Sequence, residues 1–285
     1  MKIIKYLLEF IFVIILLLFF KIIGLNLSRI ISPKLFSFFG PLFRSKKIIE
    51  KNISLAIKDS DQKLKNSITK KMWENYGRIL AEYTFIKNFR KNSENFLQVI
   101  GQENLEDLKK NGEKVIFISG HFDNFELMAL HIERSGINLA AIYRPLNNIF
   151  LNPIMEKIRK KYICKKQIKK GISGTKEILK EFKTGASIAL MIDQRVSEGI
   201  KSKFFNKDAL TTTIPAQFVK KFNCKIVPIF IQRKENKNFQ IEISPPISFE
   251  KNHSIEDITL KLNQILEQMI LRNPYQWIWS HNRWK

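Results

Sequence analysis

The chain has 285 residues, 45% of them hydrophobic, which is enough to bury a sizeable core and excludes general disorder. Its formal net charge is +23, with Lys and Arg spread along the whole length. Such a surface attracts polyanions, including nucleic acid, anionic lipid head groups or an acidic carrier protein. Two cysteines, Cys164 and Cys224, form no CxxC pair, and four histidines leave little room for a histidine-rich metal centre. A disulfide scaffold, a structural zinc site and a resident metal or cofactor are therefore not expected.

Residues 3–20 read IIKYLLEFIFVIILLLFF and are almost wholly apolar. As helix they span about 27 Å, near the lower limit for crossing a bilayer. Lys5 and Glu9 interrupt the run but stand four apart, where they pair on one helical face. Bulky residues continue past the run, so a signal-peptide cleavage site is not expected. The segment is read as a membrane anchor over residues 1–31, with spanning and lying in one leaflet both open. Lys34, Arg44, Lys46, Lys47 and Lys51 follow it closely, which places the body on the cytoplasmic side if the anchor spans. A second apolar patch, 35–43, contains Gly40 and Pro41 and reads as a re-entrant or surface-seated continuation.

Beyond the anchor, helices are expected over 46–59 and 61–90, with Trp73, Tyr76, Leu80 and Tyr83 forming a buried stripe. A short strand over 96–100 and a helical turn over 104–110 precede KVIFIS, 114–119, a buried strand entering Gly120. Residues 139–143 read as another strand. Helices follow over 150–161 and 173–183, and then SIALMID, 187–193, a strand delivering Asp193. The remainder reads as a helix over 213–222, strands over 225–232 and 239–244, and a last helix over 255–272. Strands separated by helices predict an α/β fold, with a central mainly parallel or mixed sheet flanked by helices. No linker appears after residue 50, so 32–285 is expected to be a single domain.

The strongest local pattern is GHFDNFE, 120–126. Strand-Gly-His presents an imidazole at the carboxyl edge of a sheet, where α/β sites form. His121 and Glu126 would stand about 140° apart on a continuous helix. They meet only if His121 lies in the turn and the helix starts at 123 or 124. A carboxylate behind the imidazole would fix its tautomer and let it deprotonate a hydroxyl. Asp123 to Glu126 also matches a helix capping box, which needs no catalysis. No GxSxG elbow is present, which favours direct transfer over an acyl-enzyme. Arg144 follows a strand and suits phosphate or carboxylate, or a surface salt bridge. Arg159 lies in a basic run, and Asp193 reads as exposed to the same crevice or as a cap. The tail PYQWIWSHNRWK, 274–285, mixes Trp with cations and suits a membrane interface or packing against the site.

These residues together resemble the late acyltransferases of lipid A biosynthesis, within the lysophospholipid-acyltransferase-like superfamily. The likeness runs through the anchor, MWENYGRILAEY at 72–83, GHFDNFE, YRPLNN at 143–148, DQ at 193–194, KFFNKDALTTTIPAQFV at 203–219 and QWIWSHNRWK at 276–285. It implies a His121/Glu126 catalytic dyad, with Arg144, Arg159 and Asp193 binding substrate. It further implies acyl carrier protein as donor, a Kdo-containing lipid A precursor as acceptor and the bacterial inner membrane as location; the apolar N-terminus argues against a nucleic-acid partner. A different glycolipid or phospholipid acceptor with acyl-CoA, and a non-catalytic membrane protein on the same scaffold, are the competing expectations. Two departures stand out. Asp123-Asn124-Phe125 replaces the family's usual Gly-Asn-Trp, and Phe204-Phe205-Asn206 replaces its FFG.

Overall fold

The computed structural model describes residues 2–234 and 238–285. Helix α1, Lys2–Phe39, is one continuous rod except at Gly24, whose φ of 78° and ψ of 167° turn it. The carbonyls released at this bend are not orphaned, because Ser28 Oγ donates to Phe20 O and Gly24 O at 2.9 and 2.7 Å. The helix passes position 31 without interruption and ends in a 3-10 turn at Gly40–Leu42. It is long and apolar enough to cross a membrane, with mean hydropathy 2.7. Phe38, Phe39, Leu42 and Phe43 continue its exposed apolar face. Asn148 donates to the Tyr6 carbonyl at 2.8 Å, so the start of α1 touches the body.

After the bend α1 packs along α3, Gln62–Tyr83, which α2, Lys46–Ala56, precedes. Asp61 caps α3 by accepting from Leu64 N–H at 2.7 Å. The expected helix over 61–90 is two pieces, α3 and α4, Ile86–Lys91, broken around Thr84. The rods approach closely because Gly77 has no side chain: a Cβ there would sit 2.4 Å from Ser32 O.

The body is α/β, with a mixed sheet of seven strands. In chain order its strands are β1 Leu97–Ile100, β2 Ile116–Ser119, β3 Leu139–Tyr143, β4 Lys166–Lys169, β5 Ser187–Met191, β8 Ile226–Arg233 and β9 Phe239–Ile243. Their spatial order is β1-β9-β8-β2-β5-β3-β4, and every pairing is parallel except β8 with β9. Helices α5 Gln102–Lys110, α6 Glu126–Arg134, α7 Leu151–Tyr162, α8 Ile172–Lys183 and α9 Ile214–Phe222 lie between them in the chain, and α10 Ile255–Arg272 follows the last strand. Strand β2 is buried throughout, as its unbroken apolar run requires.

Two pieces escape the sequence pattern. Edge strand β4 reads KQIK and looks like a charged loop. The hairpin β6 Ile200–Phe204 with β7 Lys207–Thr211 turns at Phe205 and Asn206, both at positive φ (49° and 59°). Asn in place of the usual Gly therefore keeps the left-handed turn. Gly77→Ala should cost about 1–3 kcal/mol by forcing α1 from α3. Chemical denaturation in detergent checks this, and unchanged stability would mean that the close approach does not hold α1.

Candidate active site

The register of β2 on β5 builds the site. Ser119 lies opposite Met191, and Ile192 N–H donates to Ser119 O at 2.9 Å. Two residues further along each strand stand His121 and Asp193. The His121 ring Nδ1 is 2.8 Å from Asp193 Oδ1, and the His121 backbone N–H donates to Asp193 Oδ2 at 2.7 Å. Trp277 Nε1–H donates to the same oxygen at 2.9 Å. Asp193 is 2% exposed, so the sequence reading of it as open to the crevice is corrected: its carboxylate lies under the imidazole. Burial alone would raise its pKa, but the neighbouring His121 and the donated hydrogen bonds outweigh that and bring it to about 2. With a carboxylate on Nδ1, the ring carries its proton there, and Nε2 keeps a lone pair.

Glu126 lies elsewhere. It opens α6 after an uncapped Phe125, so the expected capping box from Asp123 does not form. Its Oε1 accepts from Arg159 Nε at 2.7 Å and from the Tyr83 hydroxyl, and the ion pair brings Arg159 Nη2 to 2.6 Å. The expected His121–Glu126 pair is thus replaced by His121–Asp193 and Glu126–Arg159. The reason is local: the helix begins at Glu126 itself, and its side chain meets α3 and α7 rather than the turn behind it. Burial and the adjacent Glu126 push the Tyr83 hydroxyl well above its usual pKa, so it remains a donor.

The intervening loop is held by a second buried cluster. Arg233, at the end of β8, bonds Glu82 with Nη1 and Nη2 at 2.7 and 2.9 Å, and Asp123 with Nη2 and Nε at 2.8 and 3.2 Å. Arg29 of α1 donates to Glu82 at 2.7 Å, and Asn124 Nδ2 donates to it at 2.9 Å. Asp123, where the family usually has Gly, takes φ 36°, and its carboxylate turns to Arg233. Sequence reasoning passed over Glu82 and Arg233; their only signal was a charge inside an otherwise apolar helix face and at a strand end.

The C-terminal tail packs inward. Phe122 bridges Trp277, and Asp123 N–H donates to Gln276 O at 2.9 Å. Trp277 and Trp279 are buried, which favours packing against the site over a membrane interface.

His121, Glu126, Arg144 and Arg159 border one cavity of about 650 Å³. Its depth is apolar, lined by Phe117, Ile118, Met128, Ile142, Leu190 and Ile229. Its rim adds Arg44 and Lys170 to Arg144, all exposed cations. Among the described residues no cluster of His, Cys, Asp and Glu could hold a metal. The arrangement offers a base, an apolar slot and an anion-binding rim.

The match to the family described as "Bacterial lipid A biosynthesis acyltransferase" runs over residues 1–285. The chain belongs to that family. It is 24% identical over 252 residues to a lipid A biosynthesis lauroyltransferase of Escherichia coli (strain K12), covering 85% of this chain and 79% of the relative. A lipid A biosynthesis acyltransferase of Haemophilus influenzae is 24% identical, covering 87% and 82%. A lipid A biosynthesis acyltransferase 2 of Shigella flexneri is 23% identical, covering 63% and 58%. The family and the apolar α1 agree with an acyltransferase of the inner membrane.

Because Asp193 is held to about pH 2 in the folded state, its contribution to stability is complete above the unfolded carboxylate range near pH 4. That contribution is lost as pH falls through about 2. Asp193→Asn should flatten this acid limb in stability measured against pH. An unaltered limb would assign acid sensitivity to other carboxylates.

Proposed function

We propose that this acyltransferase moves a fatty acyl chain from acyl carrier protein to a hydroxyl of a Kdo-containing lipid A precursor, directly and without an acyl-enzyme. Residues 1–31 anchor a single catalytic domain, 32–285, on the cytoplasmic side of the inner membrane. The observation that carries the reading is an imidazole oriented by a buried carboxylate at the mouth of an apolar cavity, in a chain of this family.

In this mechanism His121 Nε2 takes the acceptor hydroxyl proton as the oxygen attacks the thioester carbonyl carbon. The C–O bond forms, the C–S bond then breaks, and the imidazolium returns its proton to the departing sulfur. Asp193 fixes the tautomer and stabilises the imidazolium, the role first expected of Glu126. Glu126, which also accepts from the Tyr83 hydroxyl, acts by holding Arg159 in the cavity wall. Arg144 and Arg159 bind anionic groups of donor or acceptor. The apolar depth takes the acyl chain, with each buried methylene contributing about 0.8 kcal/mol. The +23 net charge favours an acidic carrier and anionic lipid.

Detergent-purified protein given a panel of acyl-carrier-protein and CoA thioesters, with a Kdo-containing tetraacyl precursor, should form a product heavier by one acyl group. His121→Ala should abolish it. In Asp193→Asn the new amide N–H would face Nδ1 and drive the ring proton to Nε2, so the rate should fall about 10³–10⁴-fold with folding retained. Transfer from CoA alone, or only to another lipid, would overturn the stated donor or acceptor. Full activity of His121→Ala would overturn the mechanism.

A further inference from the structure

A second imidazole borders the same cavity. His281 belongs to the C-terminal tail, and its backbone is pinned on both sides. Its carbonyl accepts from Asn52 Nδ2 at 2.7 Å, and the preceding Ser280 Oγ lies 2.8 Å from the Tyr76 hydroxyl. Two residues on, buried Arg283 donates to Leu210 O at 2.6 Å and to Thr211 Oγ1 at 2.7 Å. The backbone that carries His281 is therefore fixed by the chain on either side of it.

Its tautomer is fixed as well. The Arg195 backbone N–H donates to His281 Nε2 at 3.0 Å. A backbone N–H can only donate, so Nε2 holds a lone pair, and the neutral ring carries its proton on Nδ1. Nδ1 has no hydrogen-bond partner among the described residues, and His281 lines the cavity. Burial lowers the pKa of His281 to about 4. Asp193 opposes that shift, while Arg283, His121 and Arg144 add to it. At neutral pH the ring is an uncharged donor of fixed direction.

We propose that His281, through Nδ1–H, donates a hydrogen bond to the thioester carbonyl oxygen of the acyl donor as that oxygen takes up negative charge. This rests on the acyl-transfer reading above. The two imidazoles then have opposite polarity. His121 has its Nδ1 on Asp193 and offers a lone pair, whereas His281 has its Nε2 on Arg195 N–H and offers a proton. As the acceptor oxygen bonds the carbonyl carbon, the carbonyl π pair moves to oxygen and is held by His281 without proton transfer. Collapse restores the carbonyl and expels the sulfur, which His121 protonates. Arg44, Arg144 and Lys170 suit groups already anionic when the substrates bind. A neutral donor instead holds a carbonyl weakly and an oxyanion strongly, and that difference accelerates the reaction.

The test uses the full chain in detergent with the carrier-protein donor. His281→Phe keeps a ring and removes the donor, whereas His281→Asn places an amide N–H close to the Nδ1 position. The Phe variant should lose about 10²–10³-fold in kcat with donor KM nearly unchanged. The Asn variant should recover part of that loss. Full activity of His281→Phe, or a loss confined to KM, overturns the proposal. Nitrogen-15 NMR of the wild-type protein, with His281→Phe assigning the signal, should show protonated Nδ1 and bare Nε2. A proton on Nε2 overturns the proposal whether or not the protein turns over. Absence of transfer by the wild type with every donor would instead remove the acyl-transfer reading, and the tautomer would still decide the donor geometry.

Discussion

The Asp193 carboxylate sits out of solvent at the carboxyl end of β5, where an unpaired charge would cost several kcal/mol. It is tolerated because the His121 backbone, the His121 ring and the Trp277 indole all point at it. Two of those donors belong to the turn that follows β2 and the third to the C-terminal tail. Satisfying this one anion thus ties the β2–β5 register, the 120–126 loop and the tail to a single arrangement, and it leaves one imidazole nitrogen free.

The other side of the loop depends on a different cancellation of charge. Arg29 and Arg233 face Glu82 and Asp123 in a region closed to water, two cations against two anions. Neither sign could be buried there alone. The bidentate fit of Arg233 to both carboxylates gives the cluster direction as well as neutrality. It also accounts for an aspartate in left-handed backbone at 123, since its carboxylate is tethered on both oxygens. Through Arg29 the cluster reaches α1, so the apolar helix and the loop bearing His121 share one electrostatic joint.

These two clusters let a strongly basic protein carry an apolar cavity beside charged machinery. Acids within the fold neutralise Arg29, Arg159 and Arg233, while Arg44, Arg144 and Lys170 stay exposed at the rim. An amphiphile with an anionic head and a long apolar tail meets both demands of such a cavity. Glu126 and Arg159 close its wall as a pair, so the carboxylate five residues after His121 is not its hydrogen-bond partner, and Asp193, far along the chain, is.

Much of the fold was legible in the chain because it is written locally. Unbroken apolar runs marked β2, β5 and β8, amphipathic spacing marked the helices, and an apolar N-terminus marked α1. Strand β4 and the β6–β7 hairpin were not legible, since KQIK and IKSKF carry the lysines of a solvated loop. For the site, the residue types and their position at strand ends were visible: His121 after Gly120, Asp193 after SIALMI, Arg144 after Tyr143. Their partners were not. The sequence by itself determined an α/β body with an apolar helix and chemistry at the carboxyl edge of its sheet. Only the tertiary structure decided that His121 answers to Asp193 and Glu126 to Arg159, because a hydrogen bond is fixed by register and helix start, and neither distance along the chain nor residue type encodes them.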